Sequence, residues 1–246
     1  MSKIFKYELK IILLKPYVIA MTIMTLLYAY YILSTETILG ISDTAPFSGW
    51  SFGKYLGDTT LISTLVTLFI LSTIYSKRQK NVSILTDVTG FPVRKRIMIR
   101  NIIIGGFFLL SNLLIYITGC IFLGVIFGKI YPGVYLVDWL LITIPCLVII
   151  LGVGNLLGRI NPALIYVFMG VVVLMAFVMS EYSIDINGAN YYVVMSGALE
   201  SLKGGETPFT IAPTFLFTRL VYLILGAAAL AGVAFKTGEK KKRDIL

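Results

Sequence analysis

The sequence predicts an all-α polytopic membrane protein. It would have six transmembrane helices, an N-terminal interfacial amphipathic helix, both termini in the cytoplasm and a partly re-entrant outer segment between spans five and six. Three observations carry this reading. Charged residues are 13% of the 246, about half the usual soluble share of roughly 25%. Mean hydropathy is +0.91, too high for a soluble core. The apolar residues gather in six runs approaching or exceeding the roughly 20 residues that cross a hydrocarbon core.

Taken in order, residues 2–15 (SKIFKYELKIILLK) come first. Ile4, Phe5, Leu9, Ile12 and Leu13 recur at helical spacing with Lys3, Lys6 and Lys10 mostly opposite. That pattern predicts a helix lying in the membrane interface. Lys15-Pro16 leads directly into the first apolar run, so the N-terminus reads as a retained span and not a cleaved leader. Spans are expected near 17–33, 55–75, 102–127, 136–157, 163–179 and 212–235, forming a single transmembrane domain over 1–246. Pro16 and Pro162 stand at span starts, where a missing N–H costs least. The connection 180–211 is the longest outer one, with an apolar stretch at 191–202 and a Pro-bounded TPFTIAP at 207–213. Such a segment is expected to dip back toward the membrane.

Charge sets the orientation. Of 21 Lys and Arg, seventeen fall on the side of the termini and the 76–101 loop, and three (Lys54, Lys129, Lys203) on the other. Positive residues favour the cytoplasm, which puts both termini and that loop inside. The net charge of +9 is therefore an orientation signal with some attraction to anionic lipid, not a nucleic-acid footprint.

Other features narrow the function classes. With no histidine, Ser–His proteases, His-ligated zinc proteases and His proton relays lose their key group. No G-x-x-x-x-G-K-[ST] occurs, so a P-loop ATPase would have to be a separate chain. GVGNLLG (152–158) has misspaced glycines inside an apolar run and is no dinucleotide site. Cys120 and Cys146 lie in apolar runs and imply no disulfide framework.

The most informative stretch is NVSILTDVTGFPVRKRIMIRNIIIG (81–105). It has a short helix-compatible segment, Ser83, Ile84, Leu85, Thr86, Asp87 and Val88, then a break at Gly90-Phe91-Pro92. Four basic residues follow: Arg94, Lys95, Arg96 and Arg100. With the interfacial helix, the six spans and the long last outer segment, this loop resembles the permease subunits of ABC exporters of the ABC-2 family. The likeness covers almost the whole chain, although Tyr75-Ser76 stands where that family often has an acid. The resemblance implies a coupling helix at 83–88, ended by Gly90-Phe91-Pro92, on which a separate ABC ATPase docks, two copies per complex. ATP and magnesium would sit on that partner, with no cofactor on this chain. A second permease copy or a related permease would complete the path. The expected cargo is amphipathic or hydrophobic (a peptide, lipid or drug), exported across a bacterial cytoplasmic membrane.

Further residues stand out. Arg219 lies within the sixth span, about 9 Å past Pro213. It either pairs with an outer acid, Asp58 or Glu181, in support of a gate, or snorkels to the outer headgroups. Tyr28, Tyr30 and Tyr31 cluster near the outer end of span one, as an aromatic belt or as part of a cargo path. The Met/Phe-rich fifth span faces cargo or lipid. Asn112 and Asn155 are expected to bond between helices. The small-residue pairs Gly124/Gly128, Gly154/Gly158 and Ala228/Gly232 are expected to pack within the chain. Two other functions compete: a membrane immunity or scaffold protein without transport, and an intramembrane enzyme. The enzyme lacks a cluster of titratable groups at one depth.

Overall fold

The computed structural model describes residues 2–41, 44–76, 93–178, 185–191 and 211–243. Among these there are seven α-helices and no strand: α1 (Ser2–Ile12), α2 (Pro16–Thr35), α3 (Gly49–Ile74), α4 (Val93–Phe127), α5 (Pro132–Ile160), α6 (Ala163–Phe177) and α7 (Pro213–Arg243). Five are long and apolar enough to cross a membrane, within 16–39, 49–74, 95–127, 132–160 and 213–233. This is the build of a polytopic helical membrane protein. The run expected as span five forms α6, only 15 residues long, or about 22 Å against a core of about 30 Å.

Local chemistry sets the helix ends. Pro16 and Pro132 open α2 and α5 at the first turn, where no intrahelical N–H bond is lost. Ser48 caps α3, its hydroxyl accepting from the Ser51 amide at 3.2 Å. Gly128, at φ +64°, ends α4 by donating its amide to the Gly124 carbonyl. The Gly124/Gly128 pair thus serves as a helix terminus rather than as the expected packing seam.

Two helices start well before their expected spans. α3 begins at Gly49, six residues ahead of the expected 55, and brings Lys54 into the same helix as Asp58. α4 begins at Val93, so the basic residues expected in a loop form its first two turns. Hydropathy marks the apolar part of a helix; backbone hydrogen bonding continues past it once side chains there find partners or solvent.

α5 and α7 make the closest pairing. A Cβ built on Gly152 would stand 2.4 Å from the Gly226 carbonyl oxygen, and one on Gly226 would stand 2.5 Å from that of Val148. Only glycine lets two backbones touch this way. Gly154 and Gly158 meet Leu71 of α3 and Tyr75 at its C-cap, so that pair does pack within the chain. Ala228/Gly232 does not, since Ala228 is exposed and a Cβ on Gly232 would meet nothing within 4 Å.

The buried side chains form two apolar clusters. One joins Ile12 and Val18 to Leu68, Ile70, Leu71, Ile104, Phe108 and Ile150. The other joins Leu33, Phe52, Tyr55, Leu56, Leu123, Tyr135, Tyr191 and Phe215. Along α3 they are separated by buried Thr59, Thr60, Ser63, Thr64 and Thr67.

Candidate functional site

The polar interior starts from α3, whose hydroxyls at 59, 60, 63, 64 and 67 recur at helical spacing on one side. Thr59 and Thr67 donate to the Tyr55 and Ser63 carbonyls of the preceding turn, which satisfies them without a neighbour. Thr60 and Ser63 donate to Asn112 Oδ1 of α4 at 3.0 and 3.2 Å. Thr64 Oγ1 lies 3.2 Å from Cys146 Sγ of α5. Nearer the other end, Tyr75 donates to Asn155 Oδ1 at 2.5 Å, and Asn155 Nδ2 donates to Asn101 Oδ1 at 3.1 Å. Asn112 and Asn155 thus make the interhelical bonds expected of them.

A charged layer lies toward the α7 N-terminus. Arg219 is 1% exposed. Its Nη1 donates to the Asp185 and Ile186 carbonyls at 2.9 Å each, and its Nη2 stands 3.4 Å from Asp185 Oδ1. Its guanidinium carbon is 4.3 Å from the Phe215 ring centroid, within cation–π range. Snorkelling is therefore not its arrangement: the group is turned into the protein. The acid beside it is Asp185 and not Asp58, which pairs with Lys54 one helical turn away. Glu181, the other expected candidate, lies outside the described residues.

Residues 185–191 are buried throughout. Asn190 Nδ2 donates to the Val178 carbonyl beyond α6 at 2.8 Å. Tyr191 donates to Asp138 Oδ1 of α5 at 3.0 Å. Burial first, and then the neighbouring Asp138, push the Tyr191 phenol well above its ordinary range, so it remains a donor. Asn187 Nδ2 reaches the Gly57 carbonyl of α3 at 3.4 Å. Gly57 is about 12 Å into α3, and Arg219 and Asp138 each about 9 Å into their helices, so the segment sits inside the bundle's end. Among the described residues, Asp138 Oδ2, Asn187 Oδ1 and Arg219 Nε have no hydrogen-bond partner. Each such buried atom costs about 1–3 kcal/mol.

A second polar contact joins α1 to α4. Glu8, 4% exposed, accepts from Arg100 Nε at 2.9 Å and from Nη2 at 3.2 Å. This two-point pair fixes direction as well as distance. Ile12 is buried beside it, with Ile4, Leu9 and Leu13 packed against the same cluster. Ile4, Leu9, Ile12 and Leu13 of the apolar face of α1 therefore rest on the protein, while Phe5, Lys6 and Lys10 are exposed.

The remaining expected residues are distributed as follows. Ser83, Ile84, Leu85, Thr86, Asp87, Val88, Gly90, Phe91 and Pro92 lie outside the described residues, as does the 191–202 stretch beyond Tyr191 itself. Of the basic group, Lys95 is exposed, Arg96 is buried and Arg100 is held by Glu8, so they do not form one solvated patch. Tyr30 and Tyr31 are each 57% exposed on the surface of α2. Tyr28 is half-buried. Glu8, Asp138 and Gly57 were not anticipated as site residues. Glu8 had a visible signal, as the one acid among the four lysines of residues 2–15.

No cluster of His, Cys, Asp and Glu able to hold a metal occurs among the described residues. Comparison with protein-family models, with curated proteins and with solved structures finds no match for this chain.

Proposed function

We propose that this chain is the membrane-spanning permease subunit of an ATP-driven exporter of the ABC-2 type, powered by a separate ATPase. The observation that carries this reading is the build of α4 and its attachment to α1. α4 is one helix of 35 residues, about 52 Å long, which exceeds the hydrocarbon core by about 20 Å. The excess is at its basic end, immediately after residues 77–92, and there Glu8 clamps it to the interfacial helix. A push on residues 83–92 by a docked protein would travel along α4 as a rigid rod and carry α1 with it. Apolar Ile84, Leu85 and Val88 give that protein a helix face to grip.

In this reading α6 makes the fifth of six crossings, and both termini face the cytoplasm. Two permease copies, or one with a related permease, surround the route. The cargo is amphipathic or hydrophobic, because the buried polar groups among the described residues are mostly bonded within the protein and offer no charged lumen. The chain itself carries out no chemistry, and ATP with magnesium binds the partner. The reading is tested by reconstituting the chain with its ATPase and measuring cargo-stimulated hydrolysis. Stimulation lost on Leu85→Asp, with membrane insertion kept, supports it. A chain that binds a toxin without any stimulated hydrolysis is an immunity protein instead.

A further inference from the structure

The bundle occupies the side of α1 that an interfacial helix normally gives to lipid. Ile4, Glu8 and Ile12 lie one turn apart in a single line, packed on the core or bonded to α4. Lys6 and Lys10 form a second line about 160° around the helix, and both are exposed. Tyr7 and Leu14 beside them are exposed as well. Glu8 is the one acid of residues 2–15, and Arg100 holds it on the inner side. The outward face of α1 therefore carries lysines and no carboxylate of its own. The elbow after α1 fixes the depth of that face. α2 is 20 residues long, or about 30 Å, which matches the hydrocarbon core. Its first residue, Pro16, stands at the inner boundary of that core, which places the exposed Lys15 in the headgroup layer. The surface then runs on through exposed Tyr17, Ile19 and Ile23 of α2. A tyrosine at the boundary followed by apolar side chains is the pattern of a lipid-facing surface.

We propose that Lys6, Lys10 and Lys15 form a binding face for anionic phospholipid, which holds α1 on the inner leaflet by charge instead of by buried apolar surface. An interfacial helix that inserts its apolar side takes much of its binding from that burial, whatever the headgroup. Here the apolar side is already spent on the protein, so the headgroup charge decides. The lipid phosphate is the matching group, because an ammonium donating to it makes a charge-assisted hydrogen bond. A soluble acidic partner fits less well, since Lys15 adjoins the hydrocarbon-facing start of α2, a depth that such a partner does not reach. The bound lipid would press α1 against α4 from the side opposite Glu8. The inference rests on the membrane-spanning fold and not on the permease reading.

The test is native mass spectrometry of the full chain in detergent, titrated with phosphatidylglycerol or with phosphatidylcholine of the same acyl chains. The parent should bind phosphatidylglycerol about a hundredfold more tightly. Each of Lys6→Gln, Lys10→Gln and Lys15→Gln should weaken that binding about fivefold, and the triple variant should bind the two lipids alike. The single changes carry the test if the triple variant does not insert. Lys6→Arg, Lys10→Arg and Lys15→Arg together keep the charge and should keep the preference. Lys129→Gln, which removes an exposed lysine beyond the far end of α4, should change nothing. Equal binding of the two lipids by the parent overturns the proposal, as does a preference undiminished by the glutamine substitutions. If the triple variant keeps the preference and loses a captured ATPase, the face belongs to that partner and the proposal fails.

Discussion

Arg219 and Asp185 meet inside the bundle from 34 residues apart in sequence, through the Asp185 carbonyl at 2.9 Å and its carboxylate oxygen at 3.4 Å, with the Ile186 carbonyl accepting beside them at 2.9 Å. The planar guanidinium serves these acceptors from two nitrogens held in a fixed fork, whereas an ammonium would have to serve them from one point. The charge is buried, so its partners are left uncompensated if it is removed.

Arg219→Ala should therefore lower stability by about 3–5 kcal/mol, read as a fall in the thermal midpoint in detergent. Arg219→Lys should recover only part of that loss. Capture of the ATPase should survive in both, because the contact lies at the opposite end of α7 from the basic tail. Transport should fall with Arg219→Ala and would be unchanged if the side chain had only a surface role.

The Glu8–Arg100 pair couples α1 to α4. Glu8→Gln keeps the shape and removes the charge, at a cost of about 1.5–3 kcal/mol. The swap of Glu8→Arg with Arg100→Glu should restore more than either single change. A double-mutant cycle with no coupling energy would show that α1 is held by Ile12 and its apolar neighbours alone.

The crossing of α5 and α7 should tolerate nothing larger than glycine at Gly226. Gly226→Leu should prevent stable folding, since its first side-chain atom already meets the Val148 carbonyl at 2.5 Å. Gly232→Ala, in open space six residues on, should be within about 0.5 kcal/mol of the parent. Yield of monodisperse protein after extraction distinguishes them.

Tyr191→Phe leaves Asp138 without its donor and should cost about 1–3 kcal/mol. Asp138→Leu added to it removes the orphaned carboxyl and should recover stability. If the double variant is worse than Tyr191→Phe alone, Asp138 has a further partner.

How much of this was legible in the sequence follows from what each residue needs. Long apolar runs identify α2–α5 and α7 because length and hydropathy are what a bilayer selects. The start of α4 was hidden because Arg94, Lys95 and Arg96 look like a loop, although helix hydrogen bonds are indifferent to the side chain beyond. Asn112 and Asn155 announced themselves as amides that must be satisfied in an apolar run. The partner of Arg219 was not legible. Asp58 is equally acidic, and only the chain's return into the bundle at 185–191 decides between them. Gly57 gave no signal at all, since a glycine is informative only once the group pressed against it is known. The tyrosines of α2 left an aromatic belt and a cargo path both open, because an aromatic cluster reads the same whether it faces lipid or an interior.

The topology can be tested independently of any partner. Single cysteines at 95 and 200 should label from opposite faces of sealed vesicles, with 95 on the cytoplasmic face.

The account's central claim is that a separate ATPase drives this chain through residues 83–92. The most direct measurement is affinity capture of the chain from native membranes, with quantification of any P-loop ATPase held with it. The account predicts an ATPase in equal amount to the chain, and its loss on Leu85→Asp or Val88→Asp while insertion and yield persist. Capture that brings no ATPase, or an ATPase retained undiminished by both substitutions, would contradict it.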